Sequence, residues 1–439
     1  MSLKNKYGPM AIIGLLFFIF GFVSWLNAIL IPYFKFTLQL SLASAMLVAF
    51  AFYLSYFFMA IPSSWVLHRL GFKSGMAWGL YIMAIGSAIF IPAAYLMSFP
   101  IFLVGLFVQA TGLTILQTAA NPYVTILGPI ESAATRMSVM GICNKVAGAA
   151  APLIFLRLVT SNPNEIDEIQ ASLAGMSTLQ QETVLGSLID RLIVPYGAMT
   201  LILVALGVLI LRSGLPDIQE DKSGPDEEIR IAGLFKFPQL VLGFVAIFCS
   251  VGVEVLVIDS IISYAEYHTV PFAEASYFPT YILLIMIVSY TLGIWLIPKY
   301  LSQRNTLIGC ASLGIVFTVA AMGFSGHMSI WMVVLLGLAN ALIWPSIWPL
   351  ALDGVGKYTK LGSAFLVMGI VGGAIIPYMY GALGSWLDPQ LAYVIMIPLY
   401  LFLLYFAGWG HLKPRPNISV ESRKVRKSCV TCCAGAPQH

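Results

Sequence analysis

Charge is what this sequence has least of. Only 10% of its 439 residues are Asp, Glu, Lys or Arg while 59% are hydrophobic, against about 25% and about 45–50% in an ordinary soluble domain. No water-soluble fold of this length has interior enough for that apolar fraction, so lipid must serve as much of the outer solvent. The chain reads as an all-α, polytopic membrane protein whose first partner is the lipid bilayer. A net charge of +4, dispersed in short breaks between apolar runs, excludes a nucleic-acid surface. Cysteine is scarce as well: Cys143, Cys249 and Cys310 stand singly inside apolar runs as small buried hydrophobes, which implies no disulfide framework. The five histidines, His68, His268, His327, His411 and His439, fall at span ends, loops or tails. A proton relay would therefore have to run on carboxylates. Phosphate-cradling GxxxxGK, HExxH and GxSxG motifs are all missing, which argues against an ATP-driven pump and against an intramembrane hydrolase. The expectation is a transporter, not an enzyme, with no resident cofactor and no metal site.

What is present is a succession of long apolar runs. A membrane helix needs about 20 such residues to cross about 30 Å of hydrocarbon. By that measure the chain holds twelve spans, near 9–33, 44–67, 75–97, 99–128, 137–159, 193–212, 238–264, 274–298, 305–324, 327–352, 361–386 and 390–411. The first run, Met10 to Ile31, is too long for a signal-peptide core, so it is expected to stay as a helix.

An even count puts both termini on one side, and placing that side in the cytoplasm assigns 19 of the 23 Lys and Arg residues to it. The segment 160–192, with Glu165, Asp167, Glu168, Glu182 and Asp190, then becomes an acidic external loop. The expected organisation is a six-helix bundle over 1–212, a cytoplasmic linker over 213–237, a second six-helix bundle over 238–412 and a cytoplasmic tail over 413–439. The setting is a plasma membrane, a bacterial inner membrane, and the state a monomer. A repeat supports the division: Val139 to Ile142 (VMGI) recurs as Val367 to Ile370, and Gly148 to Pro152 (GAAAP) is echoed by Gly373 to Pro377 (GAIIP). Two six-span halves related in this way place a substrate site between them near the midplane. Small-residue clusters also recur simply because helices pack closely through Gly and Ala.

Three ionisable side chains lie inside spans, where each costs about 2.5–3.5 kcal/mol unless it faces a cavity or a partner. They are Lys145 in the fifth span and Glu254 and Asp259 in the seventh. Glu254 is the candidate for coupling transport to a cation, with Lys145 and Asp259 as further charge residues. A buried Lys145–Glu254 pair that merely latches two helices is the plainer reading, and Asp259, nearer the outside, could be solvated in a vestibule. Amides and aromatic rings inside the spans fit a carbohydrate, whose hydroxyls want amide partners and whose C–H faces pack on rings. Asn27 with Trp25, Gln117, Asn121, Asn144, Tyr264, Asn340, Trp344 and Trp348 supply them. A Trp or Tyr in a membrane helix is as readily packing or interfacial belt as ligand. Cys429, Cys432, Cys433 and His439 in the tail are too cramped to make zinc ligation the default.

The stretches Gly21 to Lys35 (GFVSWLNAILIPYFK), Leu116 to Pro129 (LQTAANPYVTILGP), Val251 to Val255 (VGVEV), Gly337 to Leu350 (GLANALIWPSIWPL) and Gly369 to Pro377 (GIVGGAIIP) carry a resemblance. Together they resemble the fucose–galactose–glucose:cation symporters of the major facilitator superfamily, nearly end to end. The resemblance implies twelve helices in two bundles and import of a neutral monosaccharide by alternating access, with Na+ or H+ co-transported. Asn121, Asn144 and Asn340 carry over as sugar-site residues. In the proton-coupled fucose permeases the positions matching Ala28 and Gln117 are carboxylates, which this chain lacks. Gln117 and the GxEV context of Glu254 look like the glucose/galactose branch, which includes sodium-driven members. Lys145 replaces a small polar residue of the family pattern. An acidic or N-acetylated sugar, with Lys145 as counter-charge, and an uncoupled facilitator are the alternatives within transport. A sugar sensor that binds without translocating is the alternative from another class.

Overall fold

In hydrocarbon a backbone amide has no water to bond, and a helix is the structure that satisfies it within one segment. The computed structural model describes residues 4–126, 133–162, 164–215, 231–297, 300–355 and 358–412, and every regular element among them is helical. Eleven stretches are long and apolar enough to cross a membrane. One of them, Leu42–Tyr95, has 54 residues, more than twice what a single crossing needs. It is the second and third spans joined at Gly71, whose φ of 76° and ψ of 167° are the one non-helical pair in the helix Leu47–Tyr95. That resolves the eleven stretches into twelve spans. The loop expected at 68–74 shrinks to one residue because glycine adopts positive φ without a Cβ penalty.

The expected loop over 160–192 is instead largely helical, over Glu165–Leu173 and Thr178–Asp190. Three acidic residues in the first turn of one helix suit its dipole. In the other, Ser177 and Gln180 form a capping box. Ile166, Leu188 and Ile189 are buried, so an amphipathic cap sits on the spans. The remaining spans are Phe99–Ile126, Ala133–Val159, Ile193–Arg212, Pro238–Tyr267, Phe278–Leu296 and Gln303–Gly323, then a tenth to a twelfth ending near Gly408. Large apolar side chains such as Trp65, Leu201, Ile202, Val288 and Val316 stay exposed on their outer surfaces, as lipid-facing positions should. The segments 216–230 and 413–439, which include most of the expected linker and the whole cysteine-bearing tail, lie outside the described residues.

Among the described residues several spans are discontinuous, the first, tenth and eleventh near the middle of their lengths. The first is interrupted at Leu26, between helices Lys4–Trp25 and Asn27–Thr37; the tenth breaks between Gly326–Asn340 and Ile343–Leu352; the eleventh tightens to a 3-10 turn over Gly369–Val371. These interruptions coincide with Trp25, Asn27, Asn340 and Trp344, all singled out by the sequence. Alternating spans define two faces: a linker face, with the N-terminus and the connection from the sixth span to the seventh, and a loop face, with the 160–192 cap. On the loop face the two halves of the chain are tied together. Lys35 donates to Glu266 at 3.0 Å, and the Asp167 carboxylate accepts from the backbone N–H groups of Phe272 and Ala273 at 2.8 and 3.0 Å. Nearer the middle, the Thr280 hydroxyl donates to the carbonyl of Ala149 at 2.8 Å.

Candidate functional site

The repeated glycine motif positions the site. In GAAAP, Gly148 leaves room for the indole of Trp25: a Cβ there would lie 2.2 Å from the ring. The indole so seated does two things. Its Nε1 donates to Oδ1 of Asn144 at 3.2 Å, and its face receives Nζ of Lys145 at 4.1 Å from the ring centroid, a cation–π contact. Lys145 Nζ also lies 2.5 Å from Oε1 of Glu254, with the two side chains 6% and 13% exposed. A four-carbon stem explains how a lysine from the linker-side half of its span reaches a glutamate on the loop side of the midplane. The ion pair joins the fifth span to the seventh, and so one half of the chain to the other.

A second polar chain runs through the first half. Tyr56 of the second span, Gln117 of the fourth and Ser24 of the first lie next to one another there. In the other half the Tyr400 hydroxyl donates to Oδ1 of Asn340 at 2.7 Å, and Trp344 stacks on Trp348 with centroids 5.4 Å apart. Tyr264, in the seventh span, is paired with Ser329 at 2.5 Å.

The structure thus brings Asn144, Lys145 and Glu254 into one cluster around Trp25, with Gln117 beside Tyr56. Asn340 and Trp344 make their side-chain contacts within the second half, and Tyr400, which bonds Asn340, lies within Coulombic reach of Glu254. The side chain of Asn121 lies outside the described residues. Asn27 is 1% exposed and neither its amide oxygen nor its nitrogen has a protein partner. Asp259 is fully buried and both of its oxygens are likewise without a partner. The vestibule that could have solvated it is closed over here. Tyr56, Tyr53 and Tyr400 are the site residues that sequence reading passed over. Tyr53 and Tyr56 are three residues apart and share one helix face, a signal that was available but that also describes ordinary core. In GAIIP, Gly373 repeats the seat of Gly148, since a Cβ there would lie 3.0 Å from both the Tyr53 ring and Val255.

A polar network closed by an ion pair across two halves, on interrupted helices, is the layout expected of an alternating-access carrier. Residues 13–371 match the family described as Major Facilitator Superfamily. The chain belongs to the major facilitator superfamily. A glucose/galactose transporter of Brucella abortus is 33% identical over 93% of this chain and 95% of its own length. An L-fucose-proton symporter of Escherichia coli is 30% identical over 85% of this chain and 86% of that one. A crystal structure of that fucose symporter in the outward conformation covers 92% of this chain and 98% of its own at 27% identity, with a TM-score of 0.71. The D-xylose-proton symporter shares the fold alone, at 13% identity and a TM-score of 0.66. The fold is the twelve-helix major facilitator fold and the chain is a multi-pass membrane transporter of that superfamily, not an enzyme.

Proposed function

We propose that this superfamily member is a secondary active importer of a neutral monosaccharide, a hexose such as glucose, galactose or fucose, working as a symporter with H+ or Na+. The observation that carries the reading is the Lys145–Glu254 pair. Lys145, the cation deep inside the described spans, is neutralised by Glu254 and faces the ring of Trp25, so the polar groups left for a substrate are amides, hydroxyls, rings and the Asp259 carboxylate. Those groups suit an uncharged polyhydroxylated ligand and leave no counter-charge for an acidic one. The names of the Brucella and Escherichia relatives support the same class.

In this reading Asn27, Gln117, Asn121, Asn144, Asn340 and Trp344 form the sugar site, drawn from both halves. Glu254, Lys145 and Asp259 are the charge residues of the cycle. Residues 1–212 and 238–412 are the two bundles, the linker face is cytoplasmic with both termini, and the protein acts as a monomer in a bacterial inner membrane. Alternating access exchanges the contacts on the loop face, the Lys35–Glu266 bridge and the Asp167 latch, for contacts on the linker face.

The test offers labelled glucose, galactose, fucose, mannose and N-acetylglucosamine to proteoliposomes under a Na+ gradient, a proton gradient or neither. Concentrative uptake of at least one neutral hexose under one gradient is expected. Transport confined to an acidic or N-acetylated sugar, or binding without any flux, overturns the reading.

A further inference from the structure

Two carboxylates stand five residues apart on the seventh span, and the structure treats them differently. Glu254 is matched by Lys145. Among the described residues Asp259 has no match: it is fully buried, with no hydrogen-bond donor on either oxygen. A bare carboxylate anion in such a place carries a desolvation cost of several kcal/mol. A carboxyl group that has taken up a proton does not carry that charge. The ionisable groups that reach this stretch do not change the balance. Tyr53, from the second span, lies within Coulombic reach and brings no positive charge. Tyr393 and Tyr264 are engaged by Ser260 and Ser329, and Lys145 is already committed one to two turns away.

The position of Asp259 in the fold matters as much as its isolation. Seven residues separate it from Glu266, two helical turns at 3.6 residues each, so the two share a face about 10 Å apart in depth. Glu266 bonds Lys35 of the first span on the loop face. Asp259 therefore sits beneath that bridge, where the seventh span packs against the loop-side half of the first. Eight residues in from Lys35 is Asn27, at a similar depth, whose side-chain amide is also buried without a partner. With these loop-face contacts formed, Asp259 is fully buried.

We propose that Asp259 is the proton-binding carboxylate of the transport cycle, taking a proton while the loop face is open and releasing it once the linker face opens. The inference rests on the transport reading above. Coupling follows from geometry: with Asp259 ionised, the first and seventh spans cannot close over it cheaply, and with the proton on one carboxyl oxygen they can. Sugar and proton then cross together because the sugar-loaded carrier closes its loop face only once Asp259 carries the proton. Glu254, whose charge Lys145 holds in place, is the positioning partner of the two halves and not the proton carrier.

The test pairs a transport assay with a spectroscopic one that needs no substrate. Asp259→Asn mimics the neutral acid in shape. In proteoliposomes it is expected to lose all proton-driven accumulation, reaching only equal concentrations inside and out, while sugar counterflow, which needs no net proton movement, falls far less than accumulation does. In infrared difference spectra of the purified protein, the carbonyl stretch of a protonated carboxylic acid is expected in wild type and missing in Asp259→Asn. Proton-driven accumulation that survives in Asp259→Asn, an acid band that survives in it, or wild-type accumulation driven by Na+ and not by protons each overturns the proposal. If wild type moves no neutral sugar at all, the functional reading fails, and the infrared band alone decides whether Asp259 holds a proton.

Discussion

The loop-side half of the seventh span carries two consecutive stretches of opposite character. Around Glu254 every charge has found its match, through Lys145, Trp25 and Asn144. Around Asp259 the carboxylate has none among the described residues. The comparison separates two uses of buried polarity in a membrane protein. A satisfied network fixes how two halves meet, because removing any member strands the others. A buried carboxylate without a match is tolerated where its charge comes and goes. Lys145 and Glu254 are 109 residues apart, so the same pair that holds the site together also ties the two halves at its level.

The largest expected effect comes from breaking the satisfied stretch. Lys145→Met leaves Glu254 as an uncompensated charge at a mostly buried position, which in soluble proteins costs about 3–5 kcal/mol. We expect a marked fall in the thermal unfolding temperature of the purified protein and loss of transport. The double variant Lys145→Met/Glu254→Gln removes both charges and is expected to recover most of the stability. Equal instability of the double and single variants would mean that the pair is not what the stability depends on.

The supporting seat of the network is next. A Cβ at Gly148 would overlap the Trp25 indole at 2.2 Å, whereas one at Gly373 would meet Tyr53 and Val255 at 3.0 Å. Gly148→Ala must displace the ring that receives Lys145; Gly373→Ala asks its neighbours to give by a few tenths of an ångström. Counterflow should therefore fall roughly ten-fold or more in the first, the order of one to two kcal/mol of misplaced contacts, and only modestly in the second. The reverse order would show that the two copies of the repeated motif do different work from the one assigned.

Much of this was legible in the sequence and part was not, for physical reasons. The spans follow from apolar length, and Lys145, Glu254 and Asp259 stand out because charge is rare and costly in hydrocarbon. The short Gly71 connection was not legible, since seven residues with Arg69 and Lys73 read equally well as a loop. Nor were the helices over 165–190, whose amphipathic face is brief beside the long apolar runs. The partners were least legible of all. Nothing local to Glu254 says that Lys145 rather than a solvated cavity will meet it, and nothing local to Asn340 says that Tyr400 will. The GAAAP and GAIIP repeat was visible as a repeat, yet its role as a seat for Trp25 and Tyr53 needs the other helix in view.

The second half supplies a smaller and more selective test. Asn340 accepts from Tyr400 through Oδ1, so the hydroxyl orients the amide. Asn340→Ala removes the amide and leaves the Tyr400 hydroxyl without its acceptor, at about 1–3 kcal/mol. Tyr400→Phe only frees the amide to turn. Sugar affinity, measured by isothermal titration, is expected to drop roughly ten-fold or more in the first variant and less in the second. Unchanged affinity in Asn340→Ala, with normal folding, removes it from the sugar site.

The smallest effect lies on the loop face, above the Asp259 stretch. There Glu165 takes both guanidinium nitrogens of Arg191 at 2.8 and 2.9 Å. Hydrogen bonds from Arg191, aided by the backbone N–H of Ser161 and opposed by partial burial, hold the carboxyl below its ordinary value. A carboxyl whose folded value is depressed adds stability that is fully present above the unfolded value, about pH 4.3, and that is lost as pH falls through the folded one. The helical cap over Glu165–Leu173 and Thr178–Asp190 should thus keep its amide protection unchanged from about pH 7 to about pH 5 and loosen only below the usual carboxylate range. Hydrogen exchange read by mass spectrometry over these two helices checks this. Arg191→Ala should weaken protection at neutral pH by a small factor, since the pair is partly solvated and such pairs contribute about 1 kcal/mol or less. It should also flatten the acid dependence. Because Asp167 of the same cap bonds the backbone at Phe272 and Ala273, just past the end of the seventh span, a loosened cap should ease reopening of the loop face. Faster counterflow in Arg191→Ala would place the cap among the contacts that alternate. An unchanged rate would confine it to covering the spans.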